Sequence, residues 1–241
     1  MQLKKQIPNI ITLLNLLCGC IATIFAVQSV LGMAAFFVFL GIFFDFFDGF
    51  AARALKVQSE LGLQLDSLAD MITSGLVPGI VMYQLLYDVF PDEIIAITRD
   101  VTFPYIAIIG LMITLASAYR LAKFNIDTRQ TTSFIGLPTP ANALLILSFP
   151  LILQFQSAEW ISVIILNPWF LIVITLVSCY LLNAEIPLFA LKFKTWGFAE
   201  NKVRYIFLLL VIVLVIALRF IAIPCIILLY VVMSIIFKDK K

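Results

Sequence analysis

The sequence predicts an all-α protein, a polytopic integral membrane helix bundle with about eight transmembrane helices. Of its 241 residues, 63% are hydrophobic and only 12% are charged, and the mean hydropathy is +1.12. Soluble domains are roughly 45–50% apolar. Eight apolar runs are long enough to cross a hydrocarbon layer of about 30 Å. Lysine and arginine are distributed between these runs as expected for loops on alternating sides of a membrane.

The eight predicted helices follow the apolar runs in order. They lie at about 10–28, 32–54, 61–87, 103–124, 139–156, 165–183, 202–219 and 222–237. The last two form one long run, which Arg219 and Pro224 divide. The alternative is a single tilted helix over 202–237, which gives seven helices instead of eight.

Loop charge predicts that both termini are cytoplasmic, and it favours eight helices. With the N-terminus inside, only Arg99 and Arg219 of the 16 basic residues lie outside. The positive-inside rule expects such a bias. A seven-helix chain would move the C-terminal lysines outside. The basic residues predicted inside are Lys4, Lys5, Arg53, Lys56, Arg120, Lys123, Arg129, Lys192, Lys194, Lys202, Arg204, Lys238, Lys240 and Lys241.

Composition also limits the other classes of site. The chain has no histidine, and its four cysteines lie in apolar stretches without a Cys-x-x-Cys pair, so we expect no zinc site. The basic residues flank predicted spans, where such charges orient the chain in the membrane, so we expect no nucleic-acid partner. Lys4 and Lys5 precede an apolar run without a small-residue cleavage site. We therefore expect a retained first helix rather than a signal peptide.

The most informative segment is 45–70, DFFDGFAARALKVQSELGLQLDSLAD. Asp45 and Asp48 are three residues apart, and Asp66 and Asp70 are four apart, so each pair lies on one face of a helix. At the centre of a membrane, four unpartnered aspartates would cost ~10 kcal/mol, and less near the interface. Clustered carboxylates suit hard divalent cations such as Mg²⁺. The predicted topology brings this metal site to the cytoplasmic side.

Small and cationic residues lie on the same helical stripe as the first aspartate pair. Gly49, Ala52 and Arg53 follow Asp45 at i+4, i+7 and i+8, and Gly62 precedes the second pair. Glycine and alanine allow a bulky ligand to approach the backbone, and arginine suits phosphate. The pattern predicts carboxylates that hold metal beside a diphosphate. Two alternatives are buried ion pairs, for which few basic residues are near, and an ion pathway, which needs further intramembrane acids.

The segment resembles the signature of the CDP-alcohol phosphatidyltransferases, D-x2-D-G-x2-A-R-x8-G-x3-D-x3-D, at every fixed position. The resemblance implies a two-metal membrane enzyme that transfers a phosphatidyl-type group from a CDP-linked donor to an alcohol and releases CMP. It implies Mg²⁺ or Mn²⁺ ligands at Asp45, Asp48 and Asp66, with Asp70 as a ligand of the second metal and the general base. The positions that it implies beside CDP are Gly49, Ala52, Arg53 and Gly62.

Three further segments resemble the phosphatidylserine synthase branch of this family. They are IPNIITLLNLLCG at 7–19, RLAKFN at 120–125 and FIGLPTPANA at 134–143. The branch commonly has arginine where Lys123 stands and Ser-Phe-Gly at 73–75, where this chain has Thr-Ser-Gly. The resemblance covers roughly the first six helices. We therefore expect one domain over 1–241, with a family core at about 1–183 and additional helices at 184–241.

Polar residues at the predicted cytoplasmic helix ends are candidates for substrate contacts. Pro8 and Asn9 would start the first helix, and Asn9 and Thr12 could bind cytosine or ribose; the alternative is a helix cap with a back-bonding threonine. Arg120 and Lys123 could receive the carboxylate of serine, or simply anchor the helix end at the interface. Asn125 could help to shape the acceptor pocket.

The expected reaction is transfer from CDP-diacylglycerol to L-serine at the cytoplasmic face of the cell membrane, with the donor's acyl chains remaining in the leaflet. The resemblance also suggests a homodimer. The nearest alternative is a sibling enzyme that uses glycerol 3-phosphate or an inositol acceptor, which would call for more cationic groups. An ion-coupled transporter and a non-catalytic membrane scaffold are alternatives from other classes.

Overall fold

The computed structural model describes residues 2–90, 95–96, 102–127, 134–156, 158–189, 197 and 201–237. Within these ranges the chain is almost entirely helical, and the all-α prediction is confirmed. The α-helices are α1 Gln2–Val27, α2 Leu31–Ala54, α3 Glu60–Asp70, α4 Val77–Val89, α5 Met112–Ile126, α6 Thr139–Phe155, α7 Glu159–Ile165, α8 Pro168–Asn183, α9 Lys202–Leu218 and α10 Ala222–Ile236.

Short irregular elements join several of these helices. A π-helical turn, Met71–Leu76, connects α3 to α4, and 3₁₀ turns at Ala107–Leu111 and Arg219–Ile221 precede α5 and α10. Two strand pairs are antiparallel: β1 Ile95–Ala96 with β2 Thr102–Phe103, and β3 Phe134–Ile135 with β4 Pro187–Leu188. The second pair joins the segment before α6 to the segment after α8.

The first helix begins earlier than predicted. Pro8 and Asn9 do not start it, because α1 begins at Gln2 and Pro8 lies inside the helix. Pro8 offers no N–H to the carbonyl of Lys4, and its ring crowds that carbonyl, so the first turns of α1 are held by fewer hydrogen bonds than the rest. The second predicted run agrees closely with α2, whereas the third divides at the π turn into α3 and α4.

The sixth predicted run, 165–183, corresponds to α8, whereas the helix before it, α7, was not predicted. The helices α7 and α8 meet at 60°. Asn167 caps α8, accepting hydrogen bonds from the backbone N–H groups of Trp169 (2.9 Å) and Phe170 (3.2 Å). Pro168 occupies the first turn of α8, where its missing N–H removes no helical hydrogen bond. The cap and the proline together start a new helix in a new direction.

The core lies around α4 and α6. Val77, Val81 and Leu86 of α4 and Ile146 and Leu147 of α6 are fully buried. The helices α1 and α2 pack on each other through small side chains, a common device where membrane helices approach closely. Those buried small residues are Ala22, Ala26, Ala34 and Ala35. Many large apolar side chains remain exposed, as expected for surfaces that face lipid rather than water.

The helices α9 and α10 form an antiparallel hairpin. The ring centroids of Phe207 and Tyr230 are 5.7 Å apart, although a straight helix would separate residues at that sequence distance by roughly 34 Å. Arg219 has a φ of +51° at the reversal. Both rings also pack against Phe189, with centroid distances of 5.6 and 5.0 Å. This geometry agrees with the predicted division of the last apolar run.

Within the described ranges, five continuous helical stretches are long and apolar enough to cross a membrane, or six with the bent α7–α8 pair. That count treats Lys202–Ile236 as one stretch, but the α9–α10 contact shows that the stretch folds back on itself. The protein is a multi-pass membrane protein. The number of eight crossings and the side of each terminus stay predictions. Of the basic residues used for orientation, Arg99, Arg129, Lys192, Lys194, Lys238, Lys240 and Lys241 lie outside the described residues.

Candidate active site

Three of the four predicted aspartates form one acidic cluster. Asp45 and Asp48 lie on the last turns of α2, and Asp66 lies on α3. One carboxylate oxygen from each lies within 4.8 Å of the others. Ser59 caps the start of α3 by accepting a hydrogen bond from Gly62 N at 3.1 Å. The short connection between α2 and α3 therefore brings the carboxylate of Asp66 close to those of Asp45 and Asp48.

The first helix contributes a polar side chain to this cluster. Thr12 Oγ1 donates a hydrogen bond to Asp48 Oδ2, and it also lies 3.1 Å from the carbonyl oxygen of Pro8. Thr12 is 3% exposed and Asp48 6%, so this contact is shielded from water. The back-bonding expected of this threonine is present, but its hydroxyl also orients one of the acidic residues. Asn9 is not a helix cap; its Nδ2 lies 3.5 Å from Gln6 Oε1.

A cavity of about 480 Å³ opens beside the acidic cluster. The predicted CDP-binding residues all line it, together with Asp48 and Asp66 of the acidic cluster. A Cβ at Gly49 would meet only the Arg53 guanidinium, 3.7 Å away. A Cβ at Gly62 would lie 3.2 Å from Ser59 Oγ and 3.4 Å from Asn9 Oδ1. Gly49 thus leaves open space in the cavity, whereas Gly62 allows the side chains of Ser59 and Asn9 to pack close to the backbone of α3. The CDP-binding candidates in the wall are Asn9, Thr12, Gly49, Ala52, Arg53 and Gly62.

The fourth aspartate occupies a different environment. Asp70 is the last residue of α3 and is partly buried. Its Oδ1 lies 3.5 Å from Asn15 Nδ2, and its carboxylate interacts electrostatically with Asp66 and with the guanidinium of Arg120. Asp70 is not one of the three residues in the compact acidic cluster. It interacts with both that cluster and the buried Arg120.

The three predicted acceptor-binding residues have different surroundings. Arg120 is 7% exposed, and its Nε has no hydrogen-bond partner among the described residues. Lys123 forms an ion pair of 3.5 Å with Glu185. Asn125 joins α5 to α3 through Ser67, with Nδ2 to Oγ at 2.9 Å. The burial of Arg120 argues against simple anchoring at the membrane interface, and its guanidinium interacts electrostatically with Asp70.

Sequence reasoning missed two buried asparagines near these elements. Asn15 and Asn142 are both 0% exposed. Asn15 Oδ1 and both side-chain amide atoms of Asn142 lack hydrogen-bond partners within the ranges that the structure describes. Buried amides are normally paired. Asn15 lies in the segment 7–19 and Asn142 in the segment 134–143, and the available signal was an amide inside an otherwise apolar helix.

The fold and the site define a class of protein: a polytopic membrane protein with an acidic cluster suited to a divalent cation beside a cavity with a cationic rim. The chain belongs to the CDP-alcohol phosphatidyltransferase family, whose family model matches residues 5–171. This family depends on divalent metals in general. The resemblance noted from the aspartate signature is therefore confirmed.

Individual relatives are each similar over about 60% of the chain. The chain is 38% identical over 149 residues to the CDP-diacylglycerol–serine O-phosphatidyltransferase of Bacillus subtilis, covering 76% of that protein. It is 32% identical over 143 residues to the protein of that name from Methanocaldococcus jannaschii, covering 59% of it. It is 31% identical over 146 residues to the archaetidylserine synthase of Methanothermobacter thermautotrophicus, covering 57%. The chain thus spans less than two thirds of the two archaeal relatives.

Proposed function

We propose that the protein is a CDP-diacylglycerol–serine O-phosphatidyltransferase that makes phosphatidylserine and CMP. The observation that carries the proposal is the acidic cluster of α2 and α3 beside the cavity, in a chain of this family. The relatives named for transfer to serine support the choice of acceptor. We further propose that the protein acts as a homodimer in the cytoplasmic membrane, with the site facing the cytoplasm.

The donor set of the acidic cluster fits a divalent cation. Its oxygens are hard ligands, lie within 4.8 Å of one another, and suit Mg²⁺ or Mn²⁺. Asp45, Asp48 and Asp66 would hold the metal, and Asp70 would contribute to a second metal. Such a two-metal site neutralises the diphosphate and stabilises the departing phosphate charge. The hydrogen bond from Thr12 to Asp48 fixes the orientation of one ligand, as partners of metal ligands commonly do.

The cavity residues would hold the CDP part of the donor. Open space at Gly49 lets the diphosphate approach the backbone of α2. Arg53, exposed on the same wall, offers planar donors for phosphate oxygens. Asn9 and Thr12 lie on the α1 side of the cavity, where cytosine or ribose would rest. Holding the donor in one orientation is most of what phosphate-transfer enzymes do.

Asp70 is suited to accept the proton of the attacking alcohol. In the proposed step the serine hydroxyl oxygen bonds to the phosphorus of the phosphatidyl group, the bond from that phosphorus to the CMP oxygen breaks, and the serine proton passes to the Asp70 carboxylate. A general base must lie within hydrogen-bond reach of the proton that it removes. The electrostatic interaction of Asp70 with Arg120 supports this role for an acceptor bound against Arg120.

Arg120 is the group that we propose for the serine carboxylate. A buried guanidinium with an unused Nε donor is well suited to bind a carboxylate through two hydrogen bonds. Lys123, paired with Glu185, would act at the pocket entrance, and Asn125 would hold α5 against α3. Within the helices α6 to α10 themselves, the charged side chains lie only at Glu159, Lys202 and Arg204, in the first turns, and Arg219 lies in the turn between α9 and α10. This distribution supports an enzyme site over an ion pathway.

Replacing Arg120 with leucine is expected to raise the KM for serine about 30-fold or more, because a lost buried charge pair costs at least about 2 kcal/mol. The KM for CDP-diacylglycerol should change little. Steady-state CMP release with each substrate varied in turn measures both constants. A matched control is Arg204→Leu on α9, whose Nη1 hydrogen bonds to Asn201 away from the cavity. An unchanged KM for serine in Arg120→Leu would contradict this assignment.

The direct test of the function uses purified protein, CDP-diacylglycerol, Mn²⁺ and a panel of alcohols, with CMP release as the readout. CMP release with L-serine, and little with glycerol 3-phosphate or inositol phosphate, is the expected result. Release only with glycerol 3-phosphate would contradict serine as the acceptor while retaining the family chemistry. No release with any alcohol would contradict the transferase function itself.

A further inference from the structure

The π-helical turn after Asp70 is the starting point for an inference beyond the substrate contacts. Met71–Leu76 widens the helix directly after Asp70, the proposed general base. Such turns are rare and occur often at functional sites, because they shift the side chains that follow out of α-helical register. Here the shifted residues include Thr73, which is fully buried.

Thr73 fits into a space made by glycines on two other helices. A Cβ at Gly19 of α1 would lie 2.5 Å from Thr73 Oγ1, and a Cβ at Gly41 of α2 would lie 2.7 Å from Thr73 Cγ2. Neither position could carry a side chain without displacing the turn. The two glycines therefore allow one threonine to fix the turn against α1 and α2 together, and α2 carries Asp45 and Asp48.

Asn15 connects this contact to the carboxylate of Asp70. Thr73 Oγ1 donates a hydrogen bond to the backbone carbonyl of Asn15 at 3.2 Å. The side chain of Asn15 directs Nδ2 toward Asp70 Oδ1 at 3.5 Å, and a Cβ at Gly41 would lie 2.8 Å from its Oδ1. Asp70 is thus held through its backbone by the turn and through its carboxylate by Asn15. Hydrogen bonds at catalytic groups are often long before substrate binds.

We propose that Asn15 and Thr73 are positioning residues that hold the Asp70 carboxylate at the reaction centre, in the space that Gly19 and Gly41 provide. This inference rests on the proposed function only in requiring that Asp70 receives the proton of the attacking alcohol. It does not depend on the identity of that alcohol. Positioning acts on the chemical step, so its loss lowers kcat and leaves the KM for CDP-diacylglycerol unchanged.

The test compares variants that differ by one group. Asn15→Leu removes the amide and keeps a similar volume, and its kcat should fall by about 10- to 100-fold, since small misplacements of reacting groups have effects of this size. Thr73→Val removes the hydroxyl and should lower kcat about tenfold, whereas Thr73→Ser keeps the hydroxyl and should stay within about twofold of wild type. Mn²⁺ binding at the acidic cluster of Asp45, Asp48 and Asp66 should be unchanged in all three.

The glycine at position 41 provides a second, independent test. Gly41→Ala should lower kcat, because its Cβ meets Thr73 Cγ2 and Asn15 Oδ1. Adding Thr73→Ser removes that methyl group and should restore part of the activity. Gly32→Ala, on the same helix, is the matched control: its Cβ meets only the exposed side chain of Gln154, which can move, so kcat should be unchanged.

Three results would overturn the inference: a wild-type kcat in Asn15→Leu, equal losses in Thr73→Ser and Thr73→Val, or no recovery of Gly41→Ala by Thr73→Ser. Thermal unfolding in detergent identifies any variant that fails to fold, and the comparison then rests on the remaining pairs. If the wild-type protein uses an alcohol other than serine, the proposed function fails, and the same variants are compared with that alcohol.

Discussion

Asp70→Asn is expected to lower kcat for serine-dependent CMP release by about 10²–10⁴-fold, the usual contribution of a general base. Asparagine keeps the size of the side chain and the contact with Asn15 but cannot accept the proton of the serine hydroxyl. The measurement is CMP release at saturating CDP-diacylglycerol, serine and Mn²⁺. The metal must be saturating, because a lower rate then reports the loss of the general base and not weaker metal binding.

Asp88→Asn is the matched control for this prediction. Asp88 lies near the other end of the same helical stretch, Glu60–Val89, and lines a separate cavity together with Ser29 and Gln154. Its replacement should leave kcat unchanged. If Asp70→Asn retained more than a tenth of the wild-type rate, proton transfer to Asp70 would be wrong. If additional Mn²⁺ restored the rate, Asp70 would be a metal ligand only.

Asp45→Asn is expected to lower activity at ordinary Mn²⁺ concentrations by roughly 150-fold, equivalent to about 3 kcal/mol of lost charge stabilisation. Asp45 supplies one of the three carboxylates of the acidic cluster, and a neutral amide oxygen binds a divalent cation less strongly than a carboxylate. Electron paramagnetic resonance of Mn²⁺ mixed with the protein measures binding separately from turnover. The Mn²⁺ affinity should fall with the activity.

The same Asp88→Asn control should bind Mn²⁺ as the wild-type protein does. Normal Mn²⁺ binding in Asp45→Asn would show that the acidic cluster is not the metal site, even if activity were lost. Normal activity together with normal binding would remove Asp45 from the site altogether. The two readouts therefore distinguish a metal ligand from a residue that contacts substrate.

The sequence predicted the parts of the fold that depend on hydropathy and helical spacing. The α2 boundaries follow from an apolar run, and the shared face of Asp45 and Asp48 follows from their spacing of three, which are local properties. The approach of Asp66 to this pair is a contact between α2 and α3 and was expected from the predicted topology and the family resemblance. The division of the last run was also visible, at Arg219 and Pro224. In the structure the chain reverses at Arg219, which adopts a positive φ.

Other features depend on contacts between distant segments and could not be predicted locally. The π turn after Asp70 reflects packing of Thr73 against Gly19 and Gly41, none of which is close to the others in sequence. The pairing of Lys123 with Glu185 depends on how α5 and the end of α8 meet. Hydropathy did not predict α7 either, and its 60° angle to α8 is set where Asn167 caps α8 and Pro168 begins it.

Exposed phenylalanines of α2 border the acidic cluster on the side from which a lipid substrate could reach it. Phe46 and Phe47 lie between Asp45 and Asp48 in sequence and are exposed, as are Phe43 and Phe50. Hydrocarbon and carboxylates thus meet within one turn of α2. Withdrawing a diacyl lipid from the bilayer would cost roughly 25 kcal/mol for about 30 methylene groups. Lateral diffusion to α2 avoids that cost, since only the headgroup must cross from the lipid surface into the protein.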